Sequence, residues 1–195
     1  MYKRQETNGV KSWETIASHN LFESNKIAVT KGTCGEGEFS ENCVGIIQTN
    51  EDSNSTRDWA WLISSMDSVS GWKHTFSAAT ERVLSPAAVL GGSVIFTSYA
   101  PLNEACSSEG SSRLWALYYK TGTPYFWPIL ENHNGNFPTA IELGQGPAAN
   151  PTLHLGEKTT VTAVTNTSSS TLLKSEITTP FVIKSGSLFW RKNTD

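Results

Sequence analysis

Along this chain the apolar residues come in short bursts that alternate with polar ones and are cut off by glycine, proline, asparagine or serine. Alternation is the period of a half-buried strand, and no window sustains apolar residues at the helical spacing of three and four. The pattern predicts strands over 25–30, 44–48, 59–64, 71–76, 82–90, 94–99, 113–119, 124–129, 139–143, 152–155, 159–165, 172–176, 181–184 and 187–191. Trp59 and Trp61, on either side of Ala60, then share one face of a strand. The chain reads as all-β.

The joints carry turn chemistry. Gly91-Gly92 lies between two apolar runs, as a two-residue hairpin loop with positive φ requires. Lys120-Thr121-Gly122 and Lys184-Ser185-Gly186 are predicted to do the same, and 50–57, 132–136 and 166–171 are polar enough to be surface loops. One short pattern recurs after 65 positions: Ser85-Pro86-Ala87-Ala88-Val89-Leu90-Gly91 is matched by Asn150-Pro151-Thr152-Leu153-His154-Leu155-Gly156. Each copy is followed by a β-branched run, Val94-Ile95-Phe96-Thr97 or Thr160-Val161-Thr162. Repeated sheets of four strands are propeller blades.

Leu114-Trp115-Ala116-Leu117-Tyr118-Tyr119-Lys120-Thr121-Gly122 looks like the strand-turn signature of quinoprotein-type propeller repeats, where an aromatic residue after Thr-Gly docks between blades. Trp127 is the expected docking residue here, one position later than in that repeat. About fourteen strands at four per blade make roughly three blades, fewer than the ~4 to 8 of a closed ring. The expectation is therefore a partial β-propeller of about three blades of four-stranded antiparallel sheets, with 1–70 as a variable β/loop segment leading in and 71–195 as the blades.

Composition narrows the function. A length of 195 residues suits one domain or a little more. The net charge of -3 is spread without runs of one sign, against the basic stripe that nucleic-acid binding needs. No apolar run approaches the ~20 residues of a spanning helix. Met1-Tyr2-Lys3-Arg4 is followed by Gln5-Glu6-Thr7-Asn8 rather than an apolar core, so no secretion signal is expected in this chain.

Cys34, Cys43 and Cys106 are odd in number and lack C-x-x-C spacing, which removes the zinc-ribbon and thioredoxin readings. One disulfide and one spare thiol are expected. Cys34 and Cys43 flank a polar, glycine-bearing stretch that could close as a hairpin loop; Cys106 with either of them, or three unpaired thiols, remain alternatives.

Candidate chemistry is sparse. Asp52, Asn54, Thr56 and Asp58 alternate in the manner of oxygen ligands, but Arg57 stands where a calcium loop wants glycine and no closing glutamate follows. His19, His74, His133 and His154 show no paired ligand spacing, and no G-x-S-x-G elbow occurs. No catalytic, cofactor or metal residue is assigned, and an enzyme is not expected. Trp72, Trp115, Trp127 and Trp190 fall in apolar strand patterns and are expected in the core rather than on a sugar or quinone. Asn54-Ser55-Thr56 and Asn166-Thr167-Ser168 match the glycosylation pattern, which arises by chance in a chain this rich in Ser and Thr.

An ordered series of motifs carries a more specific likeness. Gly71-Trp72-Lys73, Glu81-Arg82-Val83-Leu84-Ser85-Pro86, Val94-Ile95-Phe96-Thr97-Ser98-Tyr99-Ala100-Pro101 and Cys106-Ser107-Ser108-Glu109-Gly110-Ser111-Ser112-Arg113-Leu114-Trp115-Ala116-Leu117 follow one another. Leu143-Gly144-Gln145-Gly146-Pro147, Pro151-Thr152-Leu153-His154 and Ser185-Gly186-Ser187-Leu188-Phe189-Trp190-Arg191 continue them. The series resembles the C-terminal propeller of PilY/PilC-type proteins, the type IV pilus tip adhesins and assembly factors, over about 71–191.

The resemblance implies pilus biogenesis and adhesion by binding, at the cell surface or pilus tip. It implies minor pilins, a host or abiotic surface and the remaining blades of a longer chain as partners. That family's Asp-rich calcium loop has no counterpart here, so calcium is not carried over. A quinoprotein-like enzyme domain and an outer-membrane assembly scaffold are the rival readings.

Overall fold

The computed structural model describes residues 2–7, 10–32, 34–35, 38–49, 57–102, 110–131, 136–168 and 172–183. It is a β structure with one α-helix. In chain order the strands are β1 (Tyr2–Thr7), β2 (Val10–Thr15), β3 (Phe22–Glu23), β4 (Ile27–Lys31) and β5 (Val44–Gln48). After the helix α1 (Trp59–Asp67) come β6 (Trp72–Lys73), β7 (Arg82–Val83), β8 (Ala88–Leu90), β9 (Ser93–Pro101) and β10 (Gly110–Tyr118). The last four are β11 (Ala140–Gln145), β12 (Thr152–Leu155), β13 (Thr160–Asn166) and β14 (Leu172–Thr178).

The main sheet runs β11-β10-β9-β7, with β8 also on β9, and every pairing in it is antiparallel. A second sheet, β12-β13-β14, and the hairpins β4-β5 and β1-β2 are antiparallel as well, while β3 and β6 form a two-residue parallel pair. The all-β expectation holds. Among the described residues the sheets close no ring of blades; the main sheet is four strand positions wide, with β7 and β8 end to end along β9, while the others have two or three strands, so the blade count stays an expectation.

The Gly91-Gly92 turn forms as its chemistry requires, with φ of +55° and +84° between β8 and β9. The repeated pattern proves to be a repeated hairpin, because Ser85–Gly91 leads through β8 into β9 and Asn150–Gly156 leads through β12 into β13. The predicted strand 82–90 is split in two by Pro86, which has no N–H for a ladder.

Three other expected strands are corrected. Residues 59–64 are not a strand but the start of α1, so 1–70 is more than β and loop. The signal was present: Trp59, Leu62, Ile63 and Met66 stand at i, i+3, i+4 and i+7, with Trp59 and Leu62 buried and Ile63 and Met66 half-buried. Asp58 caps the helix by accepting from the Trp61 N–H at 2.8 Å. Trp59 and Trp61 therefore diverge: Trp59 is buried, and Trp61 lies under the Arg57 guanidinium, 4.2 Å from its ring centre. Residues 124–129 form no strand either, since two prolines bracket them and the run packs as an irregular, buried aromatic segment. Residues 181–183 are also irregular, and 187–191 lie outside the described residues.

One core joins these pieces. Ile27, Val29 and Ile46 of the β4-β5 hairpin meet Trp59 and Leu62 of α1, Leu114 and Ala116 of β10, and Val161 and Ile177 of the second sheet. Trp59 packs edge-on against Tyr125 and Phe126, at 5.3 and 5.6 Å between ring centres. Burial pushes the Tyr118 phenol in this cluster up to about 12. The hairpin is tied below by the Cys34–Cys43 disulfide, with Cα atoms 5.3 Å apart, and Cys106 lies outside the described residues.

Candidate functional site

The signature residues of the sequence meet in one place on the main sheet. Glu81, just before β7, has a side chain only 1% exposed and both of its oxygens engaged. Ser98 of β9 donates to Oε1 at 2.6 Å, and Arg113 of β10 donates to Oε2 from Nη1 at 3.1 Å. The other face of the guanidinium donates from Nε to Glu142 of β11 at 2.6 Å. Glu142's hydrogen bond holds the Arg113 guanidinium above even its usual range. Ser98 in turn accepts from the Trp115 indole N–H at 2.7 Å. A carboxylate, a hydroxyl and an indole N–H thus form a chain that fixes the ring plane of Trp115.

Trp115 is buried at the head of a second aromatic cluster. Phe96 stacks parallel to it at 5.9 Å, Phe76 lies 5.2 Å away and His74 packs edge-on at 4.9 Å. His74 Nδ1 is 3.0 Å from Ser24 Oγ, and Ser24 donates to the Lys73 carbonyl at 3.1 Å. With its only hydrogen engaged, Ser24 accepts from Nδ1–H, which leaves His74 Nε2 as a lone-pair acceptor. Burial holds the His74 pKa below its ordinary value, against the pull of Glu81 in the other direction. Beside these rings opens a cavity of about 310 Å³, with Asn25, Thr75, Ser77 and Thr139 also lining it.

The neighbouring joint places another pair of motifs together. Trp72 lies over the Thr121-Gly122 turn and donates its indole N–H to the Tyr119 carbonyl at 2.7 Å. The aromatic residue that seats on this turn is Trp72, from far earlier in the chain. Trp127 packs edge-on against Tyr125 and Phe126, at 4.6 and 4.8 Å. Ser112 of β10 donates to the Gly146 carbonyl at 2.7 Å and accepts from the Ala148 N–H at 3.0 Å, which ties the Gly-Gln-Gly-Pro stretch to the same strand.

The other sequence candidates do not converge. Asp58 is a helix cap rather than a cation ligand, and Asp52, Asn54 and Thr56 lie outside the described residues. His19 and His154 are exposed and separate, and His133 and Trp190 lie outside the described residues. Among the described residues no group of three His, Cys, Asp or Glu side chains could hold a metal ion. A larger groove of about 840 Å³ runs between β11 and β14 over Pro128–Glu131, with carboxylates of Glu131 and Glu176 and the Lys174 amine along it.

Sequence reading missed the Glu81–Arg113–Ser98–Trp115 chain, although each member sits in a motif it had singled out. No local signal marked it: Glu81 stands between Thr80 and Arg82 and Arg113 follows two serines, so the burial of Glu81 against its partners comes from the sheet register. No family model, curated protein or solved structure matches this chain.

Proposed function

We propose that this chain is a binding module of a PilY/PilC-like type IV pilus biogenesis and adhesion factor, the C-terminal part of its propeller, acting by contact and not by chemistry. The observation that carries the reading is the ordered motif series. Its members, scattered from Gly71 to Pro147, are the residues that tie one sheet together: Trp72 on the Thr-Gly turn, Glu81 on Ser98 and Arg113, and Ser112 on Gly146. Motif residues that serve as packing joints between strands are what a repeated β architecture uses.

Two further features support it. The Cys34–Cys43 disulfide suits an oxidising compartment such as a cell surface. Val83, Leu84 and Val89 are exposed along the β7-β8 edge of the main sheet, apolar surface suited to contact with a partner. The partners in this reading are minor pilins and the surface to which the pilus attaches.

The test is genetic. Deleting the gene in its own organism should remove surface pili or attachment, measured by electron microscopy of whole cells and by an adhesion assay. Full restoration by the intact gene, with weaker restoration by an Arg113→Ala allele, is expected. Normal piliation and normal attachment in the deletion strain would overturn the proposal.

A further inference from the structure

The cavity beside Trp115 has a chemistry that the pilus reading does not use. Its wall is aromatic, from His74, Phe76 and Trp115, with Ile27 adding an apolar patch, and the rest of its lining is hydroxyl and amide, from Ser24, Asn25, Thr75, Ser77 and Thr139. Among the described residues that line it there is no Lys, Arg, Asp or Glu, so the site offers nothing to a formal charge. His74 adds none at neutral pH, because its burial disfavours the protonated ring.

The polar groups are also sorted by role. The Asn25 side-chain oxygen accepts from the Thr75 N–H at 3.4 Å, which leaves the Asn25 Nδ2 as a donor. The tautomer set by Ser24 makes His74 Nε2 an acceptor, and the Thr75, Ser77 and Thr139 hydroxyls can serve as either. Trp115, 5% exposed, spends its N–H on Ser98 and is the buried floor on which the half-buried Phe76 seats, 5.2 Å away. The chain from Arg113 through Glu81 and Ser98 holds the Trp115 ring in one orientation before any ligand arrives. A volume of about 310 Å³ is at the small end of ligand sites, where ~300 to 1,000 Å³ is usual.

Rigid rings beside neutral donors and acceptors complement a ring that is apolar on its faces and hydroxylated at its edge. We infer that this cavity is a subsite for a single neutral sugar residue, with the half-buried Phe76 against the ring and with Asn25, Ser77 and His74 on its hydroxyls. The inference does not rest on the pilus reading, since it follows from the cavity alone.

Saturation-transfer NMR on the full chain tests it, with methyl glycosides of glucose, galactose, mannose and N-acetylglucosamine as probes and cyclohexanol as a ring of similar size without the hydroxyl edge. At least one glycoside should give saturable transfer, and cyclohexanol should neither match it nor displace it. Asn25→Ala and Ser77→Ala change exposed side chains, and each should weaken binding about three- to tenfold, the loss of one hydrogen bond. Phe76→Ala should abolish it, with near-ultraviolet dichroism confirming that the fold is intact. Absence of saturable transfer from every glycoside, equal binding of cyclohexanol, or unchanged affinity in Asn25→Ala and Ser77→Ala would each overturn the inference.

Discussion

Glu81 shows how far a single residue's environment can depart from its sequence context. A carboxylate 1% exposed survives inside a protein only when its oxygens are engaged, and here Ser98 and Arg113 engage both. Removing one partner leaves the other charge stranded. Arg113→Ala should therefore cost about 2 to 3 kcal/mol, below the ~3 to 5 of a fully buried pair because Arg113 is itself 29% exposed. Glu81→Gln should cost less, since the amide oxygen can still accept from Ser98. Urea midpoints of the two variants check the order.

His74 makes a prediction about pH at the same scale. Its folded pKa lies below the 6.5 of the free side chain, because burial disfavours the charged ring. The unfolded chain therefore binds a proton that the folded chain refuses. The stability in question is complete above pH 6.5 and declines as pH falls from there toward the lowered folded value. Thermal melts across that window should show the decline, and His74→Gln should flatten it.

At the scale of elements, the β4-β5 hairpin depends on its staple and the main sheet on its turns. The disulfide closes nine residues of sequence separation, and a loop of that length is stabilised by about 2.5 kcal/mol in the chain-entropy model. Reductant should lower the melting temperature of the protein and should have no such effect on a Cys34→Ser/Cys43→Ser variant. Gly122 is left-handed, with φ of +68°, and a Cβ there would run into the Trp72 ring. Gly122→Ala meets both costs and should destabilise by about 2 kcal/mol, whereas Thr121→Ser next to it should not. Chemical denaturation with tryptophan fluorescence reads both.

The same scale shows where a strand pattern misleads. Trp59-Ala60-Trp61-Leu62-Ile63 satisfies an alternating template and a helical one together. The helix is selected by Asp58 capping its first turn and by a core that receives Trp59 and Leu62 on one side. Pro124 to Pro128 failed as a strand for the opposite reason, because the apolar run has no free backbone donors at its ends and packs by its rings.

For the molecule as a whole, residues on both sides of position 70 share one core, so α1 and the β4-β5 hairpin should melt with the sheets they cover. Leu62, fully buried on α1, tests this. Leu62→Ala should cost about 3 kcal/mol and shift far-ultraviolet dichroism and tryptophan fluorescence along one common transition. Two separated transitions would show that the amino-terminal third folds by itself.

What the sequence alone determined is local. The strand periodicity of 44–48 and 152–155, the positive-φ turn at Gly91-Gly92 and the repeated hairpin depend on neighbours a few positions apart, and each is legible without a fold. The aromatic wall and the buried ion pair are decided only by tertiary structure. Trp72 and Gly122 stand fifty positions apart, and Glu81 and Arg113 are separated by thirty-two, with a sheet register between them. A motif records which residue occupies a position. Antiparallel pairing of β9 with β10 decides which residue stands opposite, and so which charge is neutralised and which ring is held still.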